Sequence, residues 1–148
     1  MGAGVATVGG GVALAGARGA DDEAAQVERT VRQALHAALV EKDFKRACRF
    51  GSAAGRRRVL RGYNSSSGPD YASCAQIVKD EVTSPGNRFW IGRLRRNAVV
   101  TVLKVDGDRA RVRVAEDSSK YAGNGHITLR KIQGKWRMTN SDLIQYGD

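Results

Sequence analysis

The hydrophobic period of this sequence changes once, and that change limits the folds the chain can adopt. In the first half, apolar residues recur at the 3.6-residue spacing of helices, as in Val27, Val31, Leu35 and Leu39. From residue 98 onward they alternate with polar residues, which is the two-residue period of strands. Helices followed by an antiparallel meander predict an α+β fold with the helices packed on one face of the sheet.

The helical half divides where turn-forming residues interrupt the period. We predict a helix over 22–40 opened by acidic residues, a short helix around Ala47, a helical stretch over 52–61, a loop over 64–69 and a helix over 71–82. Residues 83–97 are predicted to be irregular because of the Pro85-Gly86 pair. Within them, the apolar residues Phe89, Trp90 and Ile91 are interpreted as closing the open end of the core.

The second half divides into four predicted strands. They cover residues 98–105, 109–115, 126–132 and 136–139, with a polar loop over 116–125. Asp106-Gly107-Asp108 and Gln133-Gly134-Lys135 carry residues typical of hairpin turns. The inward phase of helices and strands predicts a core of Val27, Val31, Leu35, Leu39, Val100, Val112 and Trp136.

Residues 1–20 differ in composition from the rest of the chain. The segment from Val5 to Ala17 is apolar, uncharged and too short to span a bilayer as a helix. It ends in an A-x-A pattern followed by acidic residues, which favours a signal peptide, although no Lys or Arg precedes it. We therefore predict a signal-like or disordered leader over 1–20, one domain over 21–148, and a secreted or cell-envelope location. A cytoplasmic protein with a flexible leader is the alternative.

The chain has two cysteines, Cys48 and Cys74. Their spacing fits no metal-ligand pattern and the two histidines do not complete a zinc site, so we expect neither a metal nor a cofactor. In an exported protein an even count of two predicts one disulfide, which would constrain the unfolded chain by roughly 3–3.5 kcal/mol. Two separate buried thiols are the alternative.

Three local patterns, in this order, resemble the nuclear transport factor 2-like superfamily, whose α+β fold is shaped like a cone. The family's long helix followed by a short one is matched by ALVEKDFKRAC, its central hairpin by VLKVDGDRARVRVAE, and its terminal hairpin by HITLRKIQGKWRMTNSD. The chain is most similar to small exported bacterial members. The resemblance implies three N-terminal helices on a curved antiparallel sheet around a pocket. The short strand that the family often inserts between its second and third helices is not visible here.

Enzymes of this superfamily, of the ketosteroid isomerase-like and dehydratase-like kinds, place carboxylate, tyrosine or histidine groups inside the cone. The groups that could do so here are Asp43, Tyr63, Tyr71, His126 and Asp142. None matches the family's catalytic positions, so no catalytic residue is assigned, and His36 and His126 are interpreted as surface residues. We expect the tyrosines and carboxylates to lie apart and largely solvated. A carboxylate and a tyrosine or histidine within hydrogen-bond distance inside one closed pocket would instead favour the enzyme.

The charge balance is strongly basic, with 25 Lys and Arg against 15 Asp and Glu. Arg109, Arg111 and Arg113 alternate with apolar residues, which predicts one arginine face on that strand, and Arg137 on the last strand extends it. Such a face suits an anionic surface or an acidic protein, and a merely solvated face is the alternative. Nucleic acid is disfavoured because no aromatic residues are interleaved with these arginines.

The composition excludes a transmembrane protein, a coiled coil and a disordered chain, and the common hydrolase, P-loop and zinc-protease motifs are absent from the sequence. We predict a non-catalytic exported or envelope-associated domain that binds a partner or a small apolar ligand in its cone. One alternative is an isomerase- or dehydratase-type enzyme with a carboxylate/tyrosine pocket. Another is a basic intracellular module for nucleic acid or an acidic protein. A homodimer is left open.

Overall fold

The computed structural model of the chain describes residues 2–65, 70–116 and 125–142, with side chains from residue 19 onward. The helices are α1 Gly2–Leu39, α2 Phe44–Arg49, α3 Ala53–Ser65, α4 Cys74–Thr83, a 3-10 turn Pro85–Asn87 and α5 Arg88–Asn97. The strands are β1 Ala98–Asp106, β2 Arg109–Glu116, β3 Gly125–Ile132 and β4 Lys135–Ser141. The predicted α+β class is confirmed, whereas the described residues form five α-helices where three main helices were expected. Most of the two predicted loops, 66–69 and 117–124, lies outside the described residues.

The four strands form one antiparallel meander in the order β1-β2-β3-β4. Asp106 pairs with Arg109 and Ile132 with Lys135, so two hairpins close through two-residue loops. In the second loop Gln133 and Gly134 both have positive φ, 52° and 77°. This is the requirement of a type I′ turn, whose twist matches that of the strands. The hairpins predicted from turn residues are confirmed.

Helix α1 begins at Gly2, although we predicted a start at residue 22. The acidic residues Asp21 and Asp22 are exposed inside the helix, so they do not cap its N-terminus. Ala24 and Ala25, strong helix formers, follow directly, and no proline interrupts the segment. The prediction of a signal-like leader is not tested by this helical backbone.

The core lies between α1, α5 and the inner face of the sheet. Val27, Val31, Val112 and Val114 are fully buried, and Trp136 is 4% exposed. Of the seven predicted core residues, only Leu35 stays partly exposed while it packs against the others. Alternation along the strands therefore predicted the inner face correctly.

Residues 88–97 form helix α5 instead of the predicted irregular segment. Arginine favours helices, and Pro85 at the start of the preceding 3-10 turn costs no hydrogen bond there. Ile91 is buried, Trp90 is half-buried and Phe89 is 83% exposed. Successive helical residues point about 100° apart, so the three apolar residues cannot all close the core as predicted.

The segment between α2 and α3 joins the free edge of β4. The backbone N–H of Ser52 donates to Met138 O at 2.8 Å, and Met138 N–H donates to Phe50 O at 2.8 Å, with a parallel bridge at Gly51. Helix α3 then packs so close to β4 that a Cβ at Gly55 would lie 3.0 Å from the Met138 carbonyl oxygen. Glycine at this position lets α3 rest directly on the sheet edge.

Glu23 fastens the middle of α1 to the second hairpin. Its Oε1 accepts from Lys131 Nζ at 2.6 Å and its Oε2 accepts from Trp136 Nε1 at 2.8 Å. The hydrogen bond from Lys131 lowers the pKa of Glu23, as do the bond from Trp136 and the charge of Lys131, while partial burial opposes them. Folding therefore favours the ionised carboxylate.

Replacement of this carboxylate should produce a pH-dependent loss of stability. Because folding lowers the pKa of Glu23, its contribution is present above the unfolded value near 4.5 and disappears as the pH falls through the lower folded value. We expect Glu23→Gln to lower Tm at pH 7, and we expect this Tm deficit to shrink as the pH falls below 4.5, both followed by circular dichroism.

The matched control is Glu28→Gln on the same helix, because Glu28 forms only an exposed i,i+4 pair with Arg32 at 3.4 Å. Such pairs contribute little, so its Tm should stay close to that of the wild type. An equal Tm deficit of Glu23→Gln at pH 7 and at pH 2–3 would contradict the assigned role of the carboxylate.

Candidate functional site

An apolar cavity of about 150 Å³ lies where the five helices meet the end of the sheet. Its wall includes Val31, Leu35, Val78, Trp90, Ile127 and Met138. Carbon and sulfur atoms form almost all of this surface. An apolar cavity of this volume can accept a molecule about as large as benzene.

Arg56 and Glu81 are charged residues of the lining. Arg56 turns its Nη1 away to the carbonyl oxygens of Gly51 at 2.6 Å and Cys48 at 3.3 Å, at the C-terminal end of α2. Its charge is thereby used to cap a helix end. The aliphatic part of the Arg56 side chain can therefore line the cavity while the guanidinium group keeps its hydrogen bonds.

The Cys48–Cys74 disulfide forms part of the cavity wall. It joins α2 to the first residue of α4 with a Cα–Cα distance of 6.2 Å. The predicted pairing is confirmed, and the alternative of two separate thiols is wrong. The bond holds together two short helices, of six and ten residues, that bound the cavity.

A tyrosine–carboxylate pair borders the cavity. Tyr63 Oη on α3 donates to Glu81 Oε1 on α4 at 3.2 Å, and Glu81 lines the cavity. Asn87 Nδ2 donates to Glu81 Oε2 at 3.1 Å and to the Glu81 carbonyl at 2.8 Å. Trp90 Nε1 in turn donates to Asn87 Oδ1 at 3.1 Å. These bonds fix the position of the Glu81 side chain at the cavity wall, whereas Tyr63 itself is not among the lining residues.

Tyr71 lies against Tyr63 in an edge-to-face arrangement with ring centroids 5.8 Å apart. Asn64 holds it there, because its Oδ1 accepts from Tyr71 N–H at 2.7 Å and its Nδ2 donates to Tyr71 O at 3.0 Å. Burial raises the pKa of Tyr71, and a hydrogen bond to Asp80 and the charges of Asp80 and Glu81 add to the increase. Tyr71 therefore stays protonated at neutral pH.

The expectation that the four candidate groups lie apart is wrong for the two tyrosines. They meet because Asn64, next to Tyr63 on α3, forms two hydrogen bonds with the backbone of Tyr71. Asp43 lies elsewhere and caps α2, where it accepts from Arg46 N–H at 3.0 Å. Asp142 accepts from the backbone N–H of His126 and lies 3.7 Å from His126 Nδ1. Neither carboxylate lines the cavity.

Glu81 and Asn87 were not nominated from the sequence. Glu81 lies on the inward face of α4 together with Cys74, Ile77 and Val78. A carboxylate at a core-facing position needs a hydrogen-bonding partner inside the protein, and this was the available signal. Asn87 is 3% exposed but belongs to the segment that we predicted to be irregular. The hydrogen bond between Asn87 and Glu81 therefore could not be predicted from the sequence.

The arginines that were predicted to form a basic face lie on the outer face of the sheet, opposite the face that the helices cover. Arg109, Arg111 and Arg113 are exposed, whereas Ala110, Val112 and Val114 between them are buried. The register places Arg137 on the same face through its pairing with Arg130.

Among the described residues, no cluster of three or more His, Cys, Asp or Glu side chains could hold a metal ion. Within the same part of the chain, no helix is long and apolar enough to cross a membrane.

Comparison of the chain with protein-family models, with curated proteins and with solved structures finds no match. The resemblance to the nuclear transport factor 2-like superfamily therefore stays a prediction.

Reduction of the disulfide should loosen the cavity wall. Cross-linking Cys48 to Cys74 closes a long loop, so its loss should lower the free energy of unfolding by about 2–4 kcal/mol. Urea unfolding with and without a reductant measures this change. The Cys48→Ala/Cys74→Ala variant is the control, because it should be as unstable as the reduced wild type and insensitive to reductant. Equal stability of the oxidised and reduced wild type would contradict the prediction.

Proposed function

We propose that this protein is a non-catalytic exported or envelope-associated domain that binds a small apolar ligand in its cavity. The observation that carries the proposal is the apolar cavity of about 150 Å³ beside the disulfide. Transfer of an apolar molecule from water to such a surface is favourable by about 25 cal/mol for each Å² removed from water. The ligand class that fits is a single small ring or a short hydrocarbon chain.

We further propose that the domain adopts the cone-shaped nuclear transport factor 2-like fold. Helices followed by a four-stranded meander are compatible with it. The bridge between Gly51 and Met138 supports it as well, because it lies between the second and third helices, where the family often inserts a short strand. The Cys48–Cys74 disulfide is compatible with the oxidising compartment of an exported protein.

The ligand that suits this cavity is almost entirely apolar. Tyr63 and Asn87 occupy the carboxylate oxygens of Glu81 with hydrogen bonds, and almost all of the cavity surface consists of carbon and sulfur atoms. The hydrocarbon part of a ligand can pack among Val31, Leu35 and Val78.

Filling the cavity should abolish binding. Ala38 lines it, so Ala38→Leu places three additional heavy atoms in the ligand space. With benzene or indole as the probe at millimolar concentration, we expect the wild-type Tm to rise by roughly 2–4 °C for each kcal/mol of binding energy. The Ala38→Leu variant should show no rise.

The control is Ala25→Leu, which makes the same substitution on the exposed side of the same helix. It should keep the full response to the probe. Identical shifts in the two variants, or no shift in the wild type with either probe, would overturn the proposal.

An isomerase- or dehydratase-type enzyme is the second candidate. The observation that favours it is the 3.2 Å hydrogen bond between Tyr63 Oη and Glu81 Oε1, with Glu81 at the cavity wall. In such an enzyme the Glu81 carboxylate would accept a proton from the carbon next to a carbonyl group, and the Tyr63 hydroxyl would donate a hydrogen bond to the resulting oxyanion.

Deuterium exchange separates the two candidates. Cyclohexanone fits the apolar cavity, and NMR in D₂O follows the exchange of its protons next to the carbonyl. A binding domain leaves the exchange at the buffer rate. An enzyme accelerates it by a factor of roughly 10² or more, and Glu81→Gln removes the acceleration while the Tm rise with benzene persists.

A further inference from the structure

A second concave surface lies on the outer face of the sheet, beneath α3. This basic groove has a volume of about 690 Å³, and its cations come from α3 and three strands: Arg58, Lys104, Arg109, Arg111 and Arg130. Asp106 is an acidic residue of the lining. None of the five cations lines the apolar cavity. The groove is therefore separate from the proposed ligand site.

The strand register sets these arginines directly against one another. Arg109 on β2 is the cross-strand partner of Arg130 on β3, which is in turn the partner of Arg137 on β4. Three arginines thus occupy one row across three strands, and two of them, Arg109 and Arg130, line the groove. Like charges in opposed positions destabilise a sheet, so local stability does not explain this row.

Neighbouring carboxylates compensate little of this charge. Arg130 Nε lies 3.3 Å from Asp108 Oδ2, and Lys104 Nζ lies 4.0 Å from Asp106 Oδ2, and all four side chains are more than half exposed. Exposed pairs of this kind contribute about 0–1 kcal/mol. Arg137 donates to the carbonyl of Arg49 at 2.8 Å, which orients its guanidinium without neutralising it. The groove therefore keeps a concentrated positive field.

The geometry points to a specific class of anion: we propose that the basic groove binds a linear polymer of phosphate groups that carries no aromatic bases. The Cα atoms of paired residues on adjacent antiparallel strands lie about 4.5–5.5 Å apart, so the long side chains of two paired arginines can reach different oxygens of one phosphate. Arginine forks suit such planar, two-pronged contacts better than lysine does. The groove contains no aromatic side chain among its described residues, so stacking of nucleobases has no platform.

The test compares three polyanions of equal total charge: inorganic polyphosphate, poly-glutamate and single-stranded oligothymidylate. Binding to the full chain is measured by calorimetry over a series of salt concentrations. We expect polyphosphate to bind most tightly, by at least fivefold over either of the others. Its affinity should fall as salt rises, because binding releases counterions.

Two double variants locate the binding. Arg109→Gln/Arg111→Gln removes two cations inside the groove, and Arg29→Gln/Arg95→Gln removes two exposed cations outside it. The groove variant should lose at least tenfold in affinity for polyphosphate, and the slope of log K against log salt should fall by about 1.5, close to the value for two lost phosphate contacts. The outside variant should stay within about threefold of the wild type.

Thermal unfolding shows whether the groove variant is still folded when its affinity is measured. Arg109→Gln/Arg111→Gln should unfold at the wild-type Tm or above it, because it removes the repulsion between Arg109 and Arg130. Equal losses in the two double variants would show binding by net charge alone and would overturn the proposal. Tighter binding of the oligothymidylate or of poly-glutamate, or no binding of polyphosphate, would overturn it too.

Discussion

A single four-stranded sheet can be stable in water only if helices cover one of its faces, and the other features of this protein follow from that requirement. Val112 and Val114 point inward and are fully buried, whereas Arg111 and Arg113 on the same strand are exposed. The inner face needs α1 and α5 to exclude water. The outer face does not have to exclude water, and arginines on it line the basic groove.

The cover over the inner face is incomplete at one end, and the candidate ligand site lies there. Helix α1 is continuous, but α2 and α4 are short and gain little stability as isolated helices. The Cys48–Cys74 bond and the hydrogen bonds of Glu81 hold α2, α3 and α4 in place without filling the space between them. A covalent bond and a polar network thus maintain a cavity that hydrophobic packing alone would tend to collapse.

Features set by residues close together in the chain were predicted from the sequence, whereas features set by contacts between distant residues were mostly not. Alternation and turn chemistry are local, so the strand ends near Ala98 and Ile132 and the two-residue hairpins were predicted closely. The disulfide between Cys48 and Cys74 was predicted from the cysteine count. Helix α5 was not, because its apolar stripe is only Ile91 and Leu94 with part of Trp90. The hydrogen bonds of Glu81 join α4 to α3 and to Asn87. They depend on how the helices pack, so the sequence alone does not predict them.

The central claim is that the cavity is an apolar binding space, and a crystal structure of the protein under xenon pressure tests it most directly. Xenon enters dry apolar cavities and has no hydrogen-bonding capacity. We predict strong anomalous density beside the Cys48–Cys74 disulfide, within contact distance of Val31, Val78 and Trp90. A cavity that excludes xenon and instead holds ordered water molecules hydrogen-bonded to Glu81 would contradict the account.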